Sequence, residues 1–387
     1  MLAVTSTEIK DHDSAFIDFY RSNKISPVRQ RVDNLDSHFS RRRFLYHYLG
    51  IAPNYIHNRE IVEFGPGSGH NALYTSSLEP KRYLLVDGNE YGLDECKLNI
   101  KNYYPTSEFH EYVHSRIEDY DAPDKFDLVL CEGVIPHQTN PSLFLSHIAA
   151  KVKDGGMIVI TTADYVSMLS EVLRKMMCVY YVDMNGPVPE QLAALRKVFS
   201  SHLDTLPGMS RFYDDWLYDN MIHKWKNRLF SIADAIHTLD KTFYVQGSSP
   251  KFITDWRWYK DIYNENVCVN DRAVRQYHEN IINFIDFRVE NLIIEEEKSL
   301  IIQKYSEELY WLMVSTVEQS TMSAYPEVAR ACLAMHDLLR EISPLTASSL
   351  QEASLFFTNP EKNSEAITKN FKSWFGRAQQ YLSFIKI

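Results

Sequence analysis

The stretch Ile61–His70, with the sequence IVEFGPGSGH, decides the fold of this chain. An acidic residue, Glu63, stands two positions before a G-x-G-x-G turn, and the helix that follows begins near Asn71. Glycines let the turn adopt positive φ and let a ligand approach the backbone without meeting a Cβ atom. The positive end of the helix then faces that ligand. The stretch therefore predicts the first strand, turn and helix of a nucleotide-binding α/β sheet, and it favours a cofactor-binding enzyme.

The spacing of these glycines disfavours a dinucleotide. A dinucleotide fingerprint requires a glycine three residues after Gly67, and His70 stands there instead, where its side chain would crowd a pyrophosphate. A hydride-transfer enzyme is thus less favoured, although it stays open. The simplest alternative is a tight glycine turn in an ordinary strand–helix unit.

Further apolar runs follow the glycine turn at the intervals of an α/β fold. The second strand is expected at Arg82–Asp87, and its terminal acid lies 18 residues beyond Gly69, where a carboxylate can accept hydrogen bonds from ribose hydroxyls. Later strands are expected at 109–113, 126–131 and 156–162. Because these strands alternate with helical segments, the sheet should be parallel and doubly wound.

This order of motifs resembles that of class I S-adenosylmethionine-dependent methyltransferases, and the resemblance covers about residues 58–170. It implies a Rossmann-like, mostly parallel seven-stranded α/β sheet that binds S-adenosylmethionine and releases S-adenosylhomocysteine. It places Glu63 near the amino group of the cofactor, and Asp87, with Gly88 beside it, at the ribose hydroxyls. The glycines that it places beneath the methionine and ribose portions are Gly65, Gly67 and Gly69.

The same resemblance assigns two later segments. In the segment after the third strand, Ile117 would lie against the adenine ring, and either Glu118 or Asp119 would lie near its exocyclic amine. The segment after the fourth strand begins at Cys131, which is expected among the cofactor contacts, and continues to residue 137 with substrate contacts. Each acid has the alternative of being an ordinary solvated residue in a surface turn.

The chemistry needs no metal, and we expect none. A sulfonium methyl group is already activated, so the protein must align a nucleophile behind it and exclude water. A hydroxyl or ammonium acceptor also needs a base. The first candidate is His137, because imidazole titrates near neutral pH, and its alternative is a packing histidine. The second candidate is Glu132, which could instead be a hydrogen-bond acceptor for cofactor or substrate.

Composition narrows the class of protein. The chain has 387 residues and a formal net charge of −10, which disfavours nucleic acid as a partner. Its five cysteines form no C-x-x-C pair, so they are expected to be reduced thiols in a cytoplasmic protein. The first residues show no signal or lipidation motif, and no apolar run reaches the length of a membrane span. We therefore expect no membrane partner.

The remaining sequence suggests helical additions around the core. Residues 13–50 read as helices, which we interpret as a lid that brings Tyr20 or Arg42 near the methionine carboxylate or an anionic substrate; a solvated helix face is the alternative. The turn signal at 247–250 predicts a hairpin of strands six and seven, unless it is a loop and the last strands lie elsewhere. The expected divisions are a lid at 1–57, a core at 58–180, a helical insertion at 181–240, strands six and seven at 241–261 and a helical extension at 262–387.

Aromatic residues are concentrated in these additions. An insertion placed before the last strands would hang over the carboxyl ends of the strands, where α/β sheets bind ligands. The candidates for acceptor recognition are therefore Asp255, Trp256, Trp258 and Tyr259, although burial in a core is the commoner fate of such rings. Apolar stripes near residues 309–313 and 333–339 are expected to form core or a homodimer surface.

Together these features favour a cytoplasmic methyltransferase that acts on an O or N atom of a small molecule, with carbon also open. One alternative is a methyltransferase that modifies protein side chains. Another is a regulatory or assembly protein that binds the cofactor without transferring its methyl group.

Overall fold

A seven-stranded sheet forms the centre of the fold in the computed structural model, which describes residues 32, 34–260 and 268–387. Its strands are β1 (Glu60–Phe64), β2 (Arg82–Asp87), β3 (His110–His114), β4 (Phe126–Cys131), β5 (Val152–Thr162), β6 (Phe243–Ser249) and β7 (Gln380–Lys386). Their order is β3-β2-β1-β4-β5-β7-β6. The first five strands pair in parallel, and β7 is antiparallel to both β5 and β6. The expected doubly wound, mostly parallel α/β sheet is confirmed.

Helices connect and follow these strands. The described α-helices are α1 (Leu35–Tyr48), α2 (His70–Ser76), α3 (Glu90–Tyr103), α4 (Pro141–Ala149), α5 (Leu169–Tyr181), α6 (Val188–Leu203), α7 (Tyr213–Leu217), α8 (Ile232–Leu239), α9 (Val269–Glu279), α10 (Ile281–Ile285), α11 (Glu296–Gln319), α12 (Tyr325–Leu339), α13 (Pro344–Thr358) and α14 (Pro360–Asn363). Local sequence fixes several starts: the side chains of Asn89 and Asn140 cap α3 and α4, and Ser231 with Asp234 forms a capping box at α8. Among the described residues, no helix has the length and apolar character that crossing a membrane requires.

One face of the sheet packs against α1 and α2. Alternate strand residues such as Ile61, Leu85 and Leu128 are fully buried there, together with Leu49 and Leu73 from the helical side. Burial of a side chain of this size contributes about 1.5–3 kcal/mol, so this layer is a large source of stability. It also fixes α1 close to the carboxyl ends of β1 and β4.

The predicted hairpin of strands six and seven is wrong. Residues 247–249 do not turn but continue β6, and 251–256 contain no strand; the seventh strand is Gln380–Lys386 instead. The glycine at 247 serves close packing, because a Cβ atom there would lie 2.4 Å from the carbonyl oxygen of Tyr48. The alternative interpretation, that the last strands lie elsewhere, holds for β7.

The chain divides into two compact units. The first contains the sheet and comprises the described residues up to 163, from 227 to 277 and from 379 to 387; the second comprises 164–226 and 278–378. The expected divisions at 181–240 and 262–387 are therefore corrected: α8 packs against α4 in the sheet unit, and the extension ends in a strand of the sheet.

The second unit is helical and has its own core. Its apolar stripes include Leu309, Met313 and Met335, which are buried within the unit and so belong to its core. Two buried cations on α5 are held by backbone oxygens: Lys175 donates to three carbonyls between residues 220 and 223, and Arg174 donates to those of Phe371 and Lys372. Such bonds satisfy charges that burial would otherwise make costly.

Candidate cofactor and active site

The glycine turn after β1 has the backbone conformation that its sequence predicts. Gly65, Gly67 and Gly69 have φ of +74°, +54° and +77°. A Cβ atom at Gly69 would lie 2.4 Å from Sγ of Cys96, and one at Gly65 would lie 2.5 Å from Cγ2 of Val134. At Gly67 the same atom would meet nothing within 4 Å in the described part of the chain. Two glycines thus serve protein packing, whereas Gly67 presents bare backbone to open space.

Asp87 stands at the carboxyl end of β2, next to this turn. One carboxylate oxygen accepts a hydrogen bond from the backbone N–H of Gly67 at 3.0 Å, and the other accepts one from Asn89 at 2.8 Å. The residue is 8% exposed, and burial raises the pKa of its carboxyl group. Beside it, the carbonyl of Gly88 lies 3.3 Å from Nε2 of His114. Asp87 is therefore rigidly held, with lone pairs left over for a ligand hydroxyl.

Glu63 lies near the end of β1 and faces the helices α1 and α2. Its carboxylate accepts a hydrogen bond from the Tyr83 hydroxyl of β2. Burial, followed by the negative charge of Glu132, raises the pKa of Glu63 to about 7. Burial thus favours the protonated form of this carboxyl group in the folded protein. A cationic group placed beside it would favour its ionised form.

Glu132, on the loop after β4, is clamped by two other elements. The guanidinium of Arg42 on α1 donates to both carboxylate oxygens, at 2.9 and 2.7 Å, and the side-chain amide of Asn71 donates to one of them at 3.1 Å. The Arg42 and Glu132 side chains are 7% and 6% exposed. The structure therefore places Arg42 inside the site and not on a solvated helix face. Because its oxygens are engaged, Glu132 is better suited to hold other groups in position than to accept a proton.

Three site residues escaped the sequence analysis. Tyr46 accepts a hydrogen bond from Arg42 at 3.4 Å and shares one of 2.7 Å with Thr75 on α2. Tyr381, at the start of β7, is close enough for Arg42 to lower the pKa of its hydroxyl group, although burial raises that pKa overall. Tyr83 supports Glu63 as described. Tyr46 follows Arg42 by one helical turn, which is a signal the sequence does contain, but Tyr381 could only be found by locating β7.

The segment that the resemblance assigns to adenine follows β3 and lies near the glycine turn. Ile117 opens a short 3₁₀ turn, is buried, and has its Cδ1 atom 4.0 Å from the position of a Cβ atom at Gly65. The carbonyl of Ile117 lies 3.1 Å from Nε2 of His147, which steadies the turn. Of the two candidate acids, Glu118 is half-buried and Asp119 is exposed. The geometry therefore favours Glu118, whose contact with adenine stays a prediction.

The loop after β4 begins at the edge of the site. Cys131 pairs with Ile160 of β5 and is fully buried, which raises the pKa of its thiol well above the usual value and keeps it protonated. The backbone N–H of Gly133 donates to the Thr161 hydroxyl at 2.6 Å. A 3₁₀ turn follows at Ile135–His137. The side chain of His137 lies outside the described part, so its role as a base stays a prediction; Tyr20 lies outside it as well.

The four acceptor candidates lie on the loop that follows β6. Trp256, Trp258 and Tyr259 are 92%, 58% and 63% exposed, and Asp255 pairs with Arg257 and Arg272. The ammonium group of Lys260 lies 4.8 Å from the Trp258 ring centre. The loop leaves the sheet at its carboxyl edge, because Ser249 and Thr161 both pair with Tyr381. The described contacts of these residues nevertheless fall on their own loop and on α9, so substrate binding by them stays a prediction.

No group of three or more metal-ligating side chains is found among residues 34–260 and 268–387.

Two substitutions in the glycine turn are expected to differ, one lowering mainly stability and the other mainly cofactor binding. Gly69→Ala should lower the free energy of unfolding by about 3–5 kcal/mol, because it combines positive φ with a clash against Cys96. Gly67→Ala should cost only about 1–2 kcal/mol of backbone strain, yet weaken binding of S-adenosylhomocysteine at least about tenfold by filling the open space. Urea unfolding and calorimetric titration of both variants check this. Equal destabilisation with unchanged binding would contradict the assignment of Gly67.

Comparison with known proteins points to one family. Residues 62–160 match the family described as a methyltransferase domain. A curated relative, the mitochondrial ubiquinone biosynthesis O-methyltransferase of Schizosaccharomyces pombe, is 38% identical over 109 residues, which are 28% of this chain and 39% of the relative. The chain thus spans about two-fifths of the length of that relative.

Solved structures are similar at lower identity. PKMT2 from Rickettsia typhi in complex with AdoHcy is 16% identical, with a TM-score of 0.44 over 62% of this chain and 50% of that chain. The N-methyltransferase NodS from Bradyrhizobium japonicum WM9 in complex with S-adenosyl-L-homocysteine is 15% identical, with a TM-score of 0.30 over 38% of this chain and 74% of that chain. At these TM-scores neither structure supports the comparison further. The similarity to methyltransferases depends on the strand order of the sheet and on the family match of residues 62–160.

Proposed function

We propose that this chain, whose residues 62–160 form a class I S-adenosylmethionine-dependent methyltransferase domain, transfers a methyl group to an O or N atom of a small molecule. The observation that carries the proposal is the pair of buried carboxylates at neighbouring strand ends. Glu63 and Asp87 lie on either side of a glycine turn whose central glycine, Gly67, faces open space.

The residues present fit the cofactor. Asp87 is suited to accept hydrogen bonds from the two ribose hydroxyls, Glu63 to receive the ammonium group, and Ile117 to cover the adenine ring. S-Adenosylmethionine would supply a methyl group already activated by the sulfonium charge. Buried carboxylates favour a ligand that carries positive charge, since such a ligand offsets the cost of keeping them ionised.

A hydroxyl acceptor fits the observations best. The curated relative is an O-methyltransferase, and a hydroxyl must lose its proton during transfer, which calls for a base. Glu132 is poorly placed to be that base because Arg42 and Asn71 hold its oxygens. His137, on the turn that follows, is the remaining candidate on this loop.

The proposal is tested by incubating the purified chain with S-adenosylmethionine and a probe acceptor and measuring release of S-adenosylhomocysteine. The three probes are catechol, phenethylamine and benzoate, in which a benzene ring carries hydroxyl groups, an aminoethyl group and a carboxylate. Turnover with catechol or benzoate above the rate without acceptor supports O-transfer, and turnover with phenethylamine alone would move the proposal to N-transfer. Binding of S-adenosylhomocysteine without turnover on any probe, or on the size-fractionated small molecules of a cell extract, would contradict a small-molecule enzyme. Turnover only on the protein fraction would favour a protein substrate.

His137→Ala and His137→Asn should each lower kcat by about 100-fold or more if the imidazole removes the acceptor proton. The dissociation constant for S-adenosylhomocysteine should change by less than about threefold, because the cofactor contacts are elsewhere. His57→Ala is the matched control, since His57 is exposed and pairs only loosely with Glu79. Wild-type kcat in both variants would remove His137 from the mechanism.

A further inference from the structure

The Arg42–Glu132 ion pair joins parts of the chain that local sequence cannot bring together. The two residues are 90 positions apart, and two parallel hydrogen bonds connect them with almost no exposure to solvent. Such bidentate pairs are geometrically specific as well as strong. Burying them is costly, however, and a pair of apolar residues of the same volume is often at least as stabilising. Stability alone therefore does not explain the pair.

Each member of the pair is tied to a further element. Glu132 also accepts the hydrogen bond of Asn71, which lies in the first turn of α2, directly after the glycine turn. Arg42 also donates a hydrogen bond to the hydroxyl group of Tyr46, which shares a hydrogen bond with Thr75 on α2. The pair thus connects α1, the helix that carries the glycine turn, and the loop after β4.

The loop after β4 also touches the glycine turn directly. A Cβ atom at Gly65 would overlap with the side chain of Val134, and Gly133 is fixed to Thr161 of β5. A displacement of this loop must therefore disturb the backbone around the cofactor site, and the reverse also holds. The same loop carries His137, so its position determines where an acceptor can meet the methyl group.

We propose that Arg42 is a positioning residue, which holds Glu132 so that an occupied cofactor site orders the loop 131–137 for the acceptor. This inference rests on the proposed function, because it assigns the two connected loops to cofactor and acceptor. A 1 Å displacement of a reacting group can reduce a rate by about 100-fold, so a device that fixes this loop has a large effect on catalysis.

A variant with both residues of the ion pair replaced distinguishes a role in positioning the loop from a role in stability. Arg42→Met alone leaves Glu132 as an unpaired buried charge, and it should lower both the melting temperature and the affinity for S-adenosylhomocysteine. Adding Glu132→Gln removes that charge. It also removes one influence of each sign on Glu63, since Glu132 raises and Arg42 lowers the pKa of that carboxyl group. The double variant is then compared with wild type at saturating S-adenosylhomocysteine, so that a change in affinity does not enter the comparison.

The readout is hydrogen–deuterium exchange with and without S-adenosylhomocysteine. In wild type, the ligand should slow exchange in both the glycine turn and residues 131–140. In the double variant, protection of the glycine turn should remain while that of 131–140 falls at least about tenfold. Arg42→Lys keeps the positive charge but cannot make the two parallel hydrogen bonds to Glu132, so it should lose part of the protection of residues 131–140. Arg43→Met is the control, because Arg43 is exposed on the same helix.

The inference would be overturned if residues 131–140 kept full protection in the double variant, and the ion pair would then have only a structural role. If the double variant does not fold, the same result in Arg42→Lys would overturn it. Failure of wild type to bind S-adenosylhomocysteine would instead contradict the proposed function itself. Binding by wild type with unchanged loop exchange would contradict the inference alone.

Discussion

Replacing Asp87 by Ala is expected to lower the affinity for S-adenosylhomocysteine by about 100-fold or more. Hydrogen bonds to a charged group contribute about 1.5–3 kcal/mol each, and the ribose offers two hydroxyls to this carboxylate. The variant also removes the acceptor for the N–H groups of Gly67 and Asn89, so the glycine turn loses its anchor. Calorimetric titration measures the effect.

Asp87→Asn should lower the affinity for S-adenosylhomocysteine almost as much, because the NH₂ group of the asparagine side chain would face one of those two N–H groups. Asp94→Ala is the control, since Asp94 is an exposed residue of α3 that pairs with Lys97 at the surface. A folded Asp87→Ala protein with wild-type affinity would show that the ligand binds elsewhere. That result would contradict the proposed function.

Binding of S-adenosylhomocysteine should weaken by about tenfold for each pH unit below the pKa of Glu63, which is about 7. The ammonium group of the ligand requires the ionised carboxylate, which becomes scarce as the pH falls. The titratable and charged groups that interact with Glu63 come from several elements. They are the Tyr83 hydroxyl and Asp87 from β2, Glu132 from the loop after β4, Arg42 and Tyr46 from α1, and the thiols of Cys96 on α3 and Cys131 on β4. Titrations at pH 6, 7 and 8 test this, and Glu63→Gln should bind weakly at every pH. A flat profile in wild type would contradict the role of Glu63.

The same carboxyl group has an opposite effect on the free protein. Its pKa is raised from 4.5 in the unfolded chain to about 7, so its contribution of about 3 kcal/mol is complete below pH 4.5 and is lost as the pH rises through 7. A bound ammonium group offsets that loss. The increase in melting temperature caused by S-adenosylhomocysteine should therefore be larger at pH 8 than at pH 6. The increase is a better measure than the melting temperature itself, because burial also raises the pKa of Glu171 to about 7.

The parts of the fold that sequence predicted are those encoded locally. Strands β1, β2 and β4 are short apolar runs bounded by turn residues. Each pairs with a strand close to it in the chain, β1 with β2 and β4 with β5. Parallel strands align their carboxyl ends, so the position of Glu63 and Asp87 at a common edge followed from the strand order alone. The fold class and the family resemblance are confirmed, whereas the roles of the individual site residues stay predictions.

The parts that sequence missed depend on distant partners. The run at 247–249 has the composition of a turn, but its glycine is needed because the backbone of Tyr48 passes so close. β7 pairs with β5 on one side and with β6 on the other, and its own sequence does not identify those distant partners. The pairing of Arg42 with Glu132 is equally invisible in a list of charges, since it arises from the docking of α1 on the sheet.

The place of β7 also determines when the sheet can be completed during synthesis. Thr162 of β5 pairs with Gln380 of β7, which lies 218 residues further along the chain. A ribosome therefore makes the whole second unit while β5 is paired with β4 on one side only. The free N–H and C=O groups on the other side of β5 resemble the unpaired edges on which chains aggregate. Because Tyr381 is part of β7, the nascent chain completes the cofactor site at the same late moment as the sheet. We therefore expect its yield in a cell to depend on how well that edge of β5 is shielded until β7 is made.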